Sequence, residues 1–329
     1  MKNTPITKEA LSGIWAALPI PWKEDLSFDP DTFARDISGL CEAGVSGVYT
    51  GGTTGELYTQ DFEMFCQVNR VMAKSVRDFG VPMQAGCTAL STEQVCQRVR
   101  YACDIGADIV QVALPFWLEL DDAEVVEFFV DVAAAAGRTP IVHYDTSRSK
   151  RRVSAELYQV LTKNVPTLWG TKFGGSDIHA VKQITMANPE LKVFVGEHIL
   201  ASSTPMGATG SYSSVVLVNP TWMVDYFEAC RDHIWDRAFE IQDEICLLFS
   251  GLQSLPTPGL QDTAIDRIFG RLNRVLECPI YSKAPYRYGS QKDLDHMRKW
   301  VEIHLPHVLL NENVAVRLAV HQQQSLASV

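Results

Sequence analysis

Four stretches of the sequence carry side chains suited to chemistry on a small anion. In LWGTKFGG, Lys172 sits near the end of an apolar run, just ahead of a glycine pair. Burying an ammonium there is costly unless it loses its proton, and the same desolvation lowers the pKa and frees the amine that a Schiff-base nucleophile requires. Snorkelling of the amine to the rim explains the position equally well. In VHYDTSR, Tyr144 ends an apolar run and Arg148 lies in the loop beyond, with the chemistry to draw an anion in. The competing readings are a core tyrosine with its hydroxyl satisfied and a solvated basic loop, Arg148–Arg152. In GGTTGE, Gly51 to Glu56, the hydroxyls of Thr53 and Thr54 stand beside Gly52 and free backbone N–H groups, which suits a carboxylate or phosphate oxygen. No Lys-Ser/Thr follows, so it is not a P-loop, and a plain glycine-rich turn is the alternative. The fourth stretch begins GEHI, with Glu197 and His198; together with His143 these are metal-capable, yet no HExxH or other compact ligand spacing appears and no metal is expected.

The elements that must position these residues alternate along the chain. Strands are expected at Ile14–Leu18, Val45–Thr50, Val81–Ala85, Ile109–Leu114, Ile141–Tyr144, Leu168–Lys172, Val193–Val195 and Gly207–Val216. Between them lie amphipathic stretches with apolar residues at three and four, as in Val125, Phe128, Phe129 and Val132. Several helices close on a glycine that opens the next strand (Gly44, Gly80, Gly106), and Asp29, Ser91, Asp121, Ser154 and Ser176 stand near helix starts. Repeated strand–helix units indicate a parallel α/β fold. Eight units and no GxGxxG after the first strand favour a (β/α)8 TIM barrel over an open doubly wound sheet. Residues 1–220 are assigned to the barrel and 221–310 to a helical C-terminal extension, with helices over Trp222–Phe249, Ala264–Leu276 and Lys292–Leu305. Residues 311–329 read as a frayed tail.

Composition narrows the function. The 329 residues carry 29 basic and 39 acidic side chains, a net charge of −10, which argues against nucleic acid or an anionic membrane as partner. No run has the length of a signal peptide core or a membrane span. Eight cysteines without a CxxC pair read as reduced thiols in a cytoplasmic protein.

Together, GGTTGE, the strand ending in Tyr144, GTKFGG around Lys172 and GEHILASSTPMGATGSYSSVVLVNP (Gly196–Pro220) resemble the dihydrodipicolinate synthase/N-acetylneuraminate lyase superfamily of pyruvate-dependent class I aldolases, from about Gly13 to His304. The resemblance implies that Lys172 forms an imine with a 2-keto acid and that Tyr144 relays protons beside it. It also implies that Thr53 and Thr54 bind the substrate carboxylate and that Tyr212 lies where the eighth strand borders pyruvate. It implies a homotetramer and no cofactor beyond the covalent imine.

Synthases of this superfamily usually carry a tyrosine pair at the fourth-strand rim. Here that place reads LPFW, with Phe116 and Trp117, which breaks the hydroxyl relay and argues against lysine biosynthesis. GIW before PIP, GCTALST, PFW and APY look more like the hydratase-aldolases of aromatic catabolism, of the trans-o-hydroxybenzylidenepyruvate type. Trp15, Phe116 and Trp117 would then be apolar walls for an aryl group, and Glu197, His198 and Thr257 are further candidate pocket residues. The expected reaction is hydration and retro-aldol cleavage of an aryl-substituted 2-oxobut-3-enoate to an aromatic aldehyde and pyruvate. The alternatives are a lyase of a hydroxylated 2-keto acid such as a deoxy sugar acid, a dihydrodipicolinate synthase, a class II metal aldolase, and a non-catalytic binding protein.

Overall fold

The computed structural model describes residues 6–310. Eight short strands recur: β1 (Gly13–Ala17), β2 (Gly47–Tyr49), β3 (Met83–Gly86), β4 (Ile109–Val112), β5 (Ile141–Asp145), β6 (Leu168–Phe173), β7 (Lys192–Val195) and β8 (Ala208–Ser213). In order between and after them run α1 (Pro30–Glu42), α2 (Phe62–Ser75), α3 (Thr92–Asp104), α4 (Asp122–Ala136), α5 (Ala155–Asn164), α6 (Ile178–Ala187), α7 (Leu200–Ser203) and α8 (Pro220–Arg231). Three more helices complete the described chain: α9 (Trp235–Leu252), α10 (Asp262–Leu272) and α11 (Gln291–His304). The strands are parallel and in sequence order, and β8 closes the barrel on β1 with Gly13 opposite Gly210 and Ala16 opposite Ser213. Closure leaves no unpaired sheet edge.

Apolar side chains on both strand faces explain why the strands read as continuous hydrophobic runs. Inside the barrel, Trp15, Tyr49, Phe194 and Tyr212 pack together. Outside it, Ile37, Val99, Phe129 and Leu161 join the strands to the helices. Each such side chain contributes on the order of 2 kcal/mol by leaving water.

Side-chain caps start the helices. Asp121 forms a capping box with Glu124, and Asp29, Ser91 and Ser154 each accept a backbone N–H in the first turn of their helix. Ser176 does not cap α6; Asp177 does, accepting from His179 and Ala180. The single helix expected over Trp222–Phe249 is two. After α8 the backbone turns at His233, which takes the left-handed conformation at φ 59° while its ring stacks on Trp235. No glycine or proline marks that break.

The residue-220 boundary falls at the first residue of α8, which packs on both β1 and α9. Helix α10 lies against the turn Val215–Leu217 that follows β8, which sets it over the C-terminal rim of the barrel. A buried ion pair fixes it there. Glu56, from GGTTGE, meets Arg267 of α10, both fully buried. The Glu56 carboxylate also accepts from Trp22 Nε1 at 2.5 Å and from the Lys283 backbone N–H at 2.8 Å. Arg267 donates further to the carbonyls of Ile20 at 2.7 Å and Tyr281 at 2.6 Å. Four separate segments are thus tied at one point beneath the mouth.

Residues 311–329, read as a tail from the sequence, lie outside the described residues. Among the described residues no helix is long and apolar enough to cross a membrane, and the eight cysteines are free thiols.

Candidate active site

Register places the two principal residues side by side. Tyr144 of β5 pairs with Lys172 of β6, so both side chains leave the sheet on its inner face at the C-terminal end. Lys172 Nζ lies 4.3 Å from the Tyr144 ring centroid, 4.9 Å from that of Tyr49 and 5.6 Å from that of Tyr212, and it donates to Tyr49 Oη at 3.1 Å. The sequence led us to expect desolvation to depress its pKa. The structure overturns that: burial opposes the charge, but the phenols of Tyr144 and Tyr49, with Glu197 beyond, outweigh it and hold Lys172 above its ordinary value. Burial works against ionisation of Tyr144 as well, yet the Lys172 ammonium, the Thr53 hydroxyl and Arg148 bring its pKa below the usual phenol value. The Lys172 ammonium thus faces the ring of a phenol more acidic than usual, and among the described residues its hydrogen bond goes to Tyr49 and not to the Tyr144 oxygen. Tyr49 is pushed by burial up to about 12, so it stays a neutral hydrogen-bond partner.

The loop after β2 approaches this pair through close backbone packing. Gly51 has φ 71°, and a Cβ there would sit 2.2 Å from the Gly86 carbonyl oxygen, so no other residue fits. The loop brings Thr53 to the Tyr144 side and buries Thr54, whose hydroxyl donates to Asp266 Oδ2 of α10 at 2.5 Å. Among the described residues, the backbone N–H groups of Thr53 and Thr54 donate to no protein acceptor; Thr53 borders the smaller of the site's two cavities, and Thr54 is buried behind it. Burial pushes Asp266 up to about 7 despite the Thr54 hydroxyl, and Asp262 and Glu197 add to the rise.

Two cavities flank the Lys172–Tyr144 pair. One, of about 290 Å³, reaches Tyr144, Thr53 and Arg148 and is walled by Leu57, Tyr58, Phe116 and Tyr286. Tyr58 and Tyr286 meet edge to face with centroids 4.9 Å apart. The other, of about 520 Å³, reaches Lys172 and Tyr212 and is bordered by Glu197, His198, Asp262 and Asp266. Arg148 and Asp262, each half exposed, pair at 2.8 Å and join the rims of the two.

The remaining candidates divide clearly. Phe116 walls the first cavity, and Glu197 and His198 line the second. The Glu197 Oε1 atom is occupied, accepting backbone N–H groups of Ser214 at 3.2 Å and Val215 at 3.0 Å. His198 Nε2 pairs with Ser176 Oγ at 2.9 Å. The Tyr212 ring borders the second cavity, but its hydroxyl is spent on Gln84 Oε1 at 2.6 Å. Trp15 is not a wall of either cavity: it is fully buried in the barrel interior, with Nε1 donating back to the Ser12 carbonyl. Trp117 is 75% exposed and borders neither cavity, because the loop after β4 turns it outward while Lys150 holds its carbonyl. Thr257 is also displaced, its N–H and hydroxyl both given to Asp293 at 2.8 and 2.7 Å. Gly52 is buried beside the Tyr49 ring and lines neither cavity. His143 faces outward from β5 onto Tyr158, 2.7 Å from its hydroxyl, so it does not approach His198. The sequence reading did not place Tyr49, Tyr58, Asp262, Asp266 or Tyr286 at the site. For Tyr49 a signal existed, since it is the last residue of an apolar strand, as Tyr144 nearly is.

Comparison with known proteins agrees with this architecture. The profile described as the dihydrodipicolinate synthetase family matches residues 10–283. An uncharacterised DapA-like lyase of Halobacterium salinarum is 32% identical over 251 residues, 75% of this chain and 81% of that protein. A trans-O-hydroxybenzylidenepyruvate hydratase-aldolase of Pseudomonas putida is 32% identical over 151 residues, 44% of this chain and 45% of that protein. Among solved structures, dihydrodipicolinate synthase from Aquifex aeolicus superposes with a TM-score of 0.80 at 21% identity, covering 89% of this chain and 97% of that one.

Proposed function

The chain belongs to the dihydrodipicolinate synthetase family and is a lyase of that family, and from that premise we propose that it cleaves an aryl-substituted 2-oxobut-3-enoate, after hydration, to an aromatic aldehyde and pyruvate. The observation that carries the reading is the Lys172 amine held against the Tyr144 ring between two cavities. Lys172 is the nucleophile and Tyr144 the proton carrier. The carboxylate of the keto acid takes the Thr53 and Thr54 N–H groups, with Arg148 drawing it in.

Attack of the neutral amine on the keto carbon, followed by return of the proton held by Tyr144 to the departing hydroxyl, releases water and leaves a protonated imine. This withdraws electrons from the conjugated alkene, so water adds at the carbon bearing the aryl group, with a proton delivered to the adjacent carbon. Loss of the proton from the new hydroxyl breaks the C–C bond and releases the aldehyde. The bonding pair stays on the enamine, which the imine stabilises as an electron sink. Tyr144 returns a proton to that carbon, and hydrolysis frees pyruvate. The aryl group is assigned to the cavity walled by Tyr58, Phe116 and Tyr286.

One observation favours a second reading, cleavage of a hydroxylated 2-keto acid. The larger cavity is bordered by Glu197, Asp262 and Asp266, which are acceptors for substrate hydroxyls. Pyruvate release from benzylidenepyruvates and from deoxy sugar keto acids separates the two: turnover confined to the sugar acids overturns the aryl assignment. We also propose a homotetramer on the resemblance, supported by the adjacent exposed Trp117 and Leu118, 75% and 73% accessible in the single chain. A monomer by light scattering refutes it.

A further inference from the structure

The buried Asp266 carboxyl has no task in the reaction as assigned, yet it holds a residue that does. It projects from α10, in the C-terminal helical segment, and is 3% exposed. Its Oδ2 atom receives the Thr54 hydroxyl at 2.5 Å. It borders the cavity that contains Lys172. The groups facing it are Thr54 from the loop after β2, the Ser214 hydroxyl after β8, the Glu197 carboxylate after β7, and Asp262 one turn earlier on its own helix. Tyr49 of β2 also feels its charge. The Lys172 ammonium lines the same cavity, but the largest influences on the Asp266 carboxyl are burial, the two hydroxyls and the two carboxylates.

The geometry points to Asp266 as a positioning residue that sets the direction of the Thr54 hydroxyl, so that a 2-keto acid binds together with one proton. A hydroxyl has one hydrogen to give. While Asp266 is ionised, the Thr54 hydrogen points at Oδ2, and only the oxygen lone pairs of Thr54 face an arriving substrate carboxylate, which repels them. When Asp266 is protonated, its own O–H donates to Thr54 Oγ1. The Thr54 hydrogen then turns to the substrate carboxylate and joins the free N–H groups of Thr53 and Thr54. The bound carboxylate also adds a negative charge beside an unpaired carboxyl, which favours the protonated form further. The step balances: one proton is taken from solvent, one hydrogen bond reverses direction, and no electrons move. Burial pushes Asp266 up to about 7, which places the reversal within the neutral range.

This inference rests on the proposed role of Thr54 as carboxylate ligand and of Lys172 as imine former. The test is cyanoborohydride trapping of pyruvate from pH 6 to 8.5, reading the half-saturating pyruvate concentration by intact mass in wild type and Asp266→Asn. Asn keeps the shape and a hydrogen bond but does not titrate. In wild type the half-saturating concentration rises about 30-fold across this range, and in Asp266→Asn that rise is lost. An equal rise in both proteins, or none in wild type, overturns the switch while leaving imine formation standing. No adduct in wild type at any pH overturns imine formation and the switch with it. Should Asp266→Asn fail to fold, calorimetry of wild type with pyruvate at pH 8 in two buffers of different ionisation enthalpy decides. Uptake close to one proton per site supports the switch, and none overturns it.

Discussion

The Lys172 ammonium rests 4.3 Å from the centroid of the Tyr144 ring, held there because the two residues are direct partners across β5 and β6. Neither group has its ordinary acidity: Lys172 is raised and Tyr144 lowered, each chiefly by the other once burial has been overcome. The amine is therefore not free by desolvation, as the sequence suggested. In the mechanism we propose, it becomes free when Tyr144 takes its proton.

The proposed relay requires Tyr144 for turnover but not for folding. Tyr144→Phe keeps the ring against Lys172 and removes the oxygen. Turnover should fall by about 10²- to 10³-fold, with the thermal midpoint within about 4 °C of wild type. Steady-state pyruvate release and thermal unfolding read the two; turnover at the wild-type level contradicts the relay.

The aryl assignment rests on Tyr58 and Tyr286, whose rings meet at 4.9 Å over the smaller cavity. Tyr58→Ala should raise KM for a benzylidenepyruvate about tenfold, the effect of losing roughly 1.4 kcal/mol of aromatic contact. Trapping of pyruvate, which has no aryl group, should not change. Equal losses for both compounds would place the aryl group elsewhere.

Glu56 and Arg267 make the joint between the GGTTGE loop and α10. Glu56→Gln leaves a guanidinium buried without its counter-charge and should cost about 3–5 kcal/mol in urea unfolding. A loss below about 1 kcal/mol would show that the neighbouring carbonyls of Ile20 and Tyr281 suffice to hold the charge.

Asp36 of α1 gives the folded state a pH dependence. Its two oxygens accept the N–H groups of Glu277 and Cys278 at 2.6 and 3.1 Å, and burial raises its pKa from 3.8 to about 8. Between those values the folded protein keeps a proton that the unfolded chain has released. Its contribution to stability is therefore complete below pH 3.8 and is lost as pH rises through about 8. Asp145 and Asp266, raised to about 6 and about 7, act with the same sign. The thermal midpoint should fall from pH 5 to 8.5, and fall less in Asp36→Asn. Identical slopes contradict the assignment.

The strand–helix alternation made the barrel legible, because parallel strands buried on both faces leave apolar runs that amphipathic helices must separate. Lys172 stood out because it interrupts such a run. Trp15 was misplaced for the same reason: all five residues of β1 are buried, so the sequence does not tell a residue in the barrel interior from one at its mouth. Asp266 and Tyr286 were missed because long-range contacts bring them in. Asp266 touches Thr54 across 212 positions, through an α10 whose apolar pattern looks like that of any packing helix. The α8–α9 break at His233 was hidden because a histidine there takes a conformation usually marked by glycine.

Pyruvate with borohydride, read by intact mass on wild type and Lys172→Ala, tests the central claim most directly. The account predicts one covalent adduct per chain in wild type and none in the variant. An adduct that persists in folded Lys172→Ala, or its absence from folded wild type, contradicts imine chemistry at this amine.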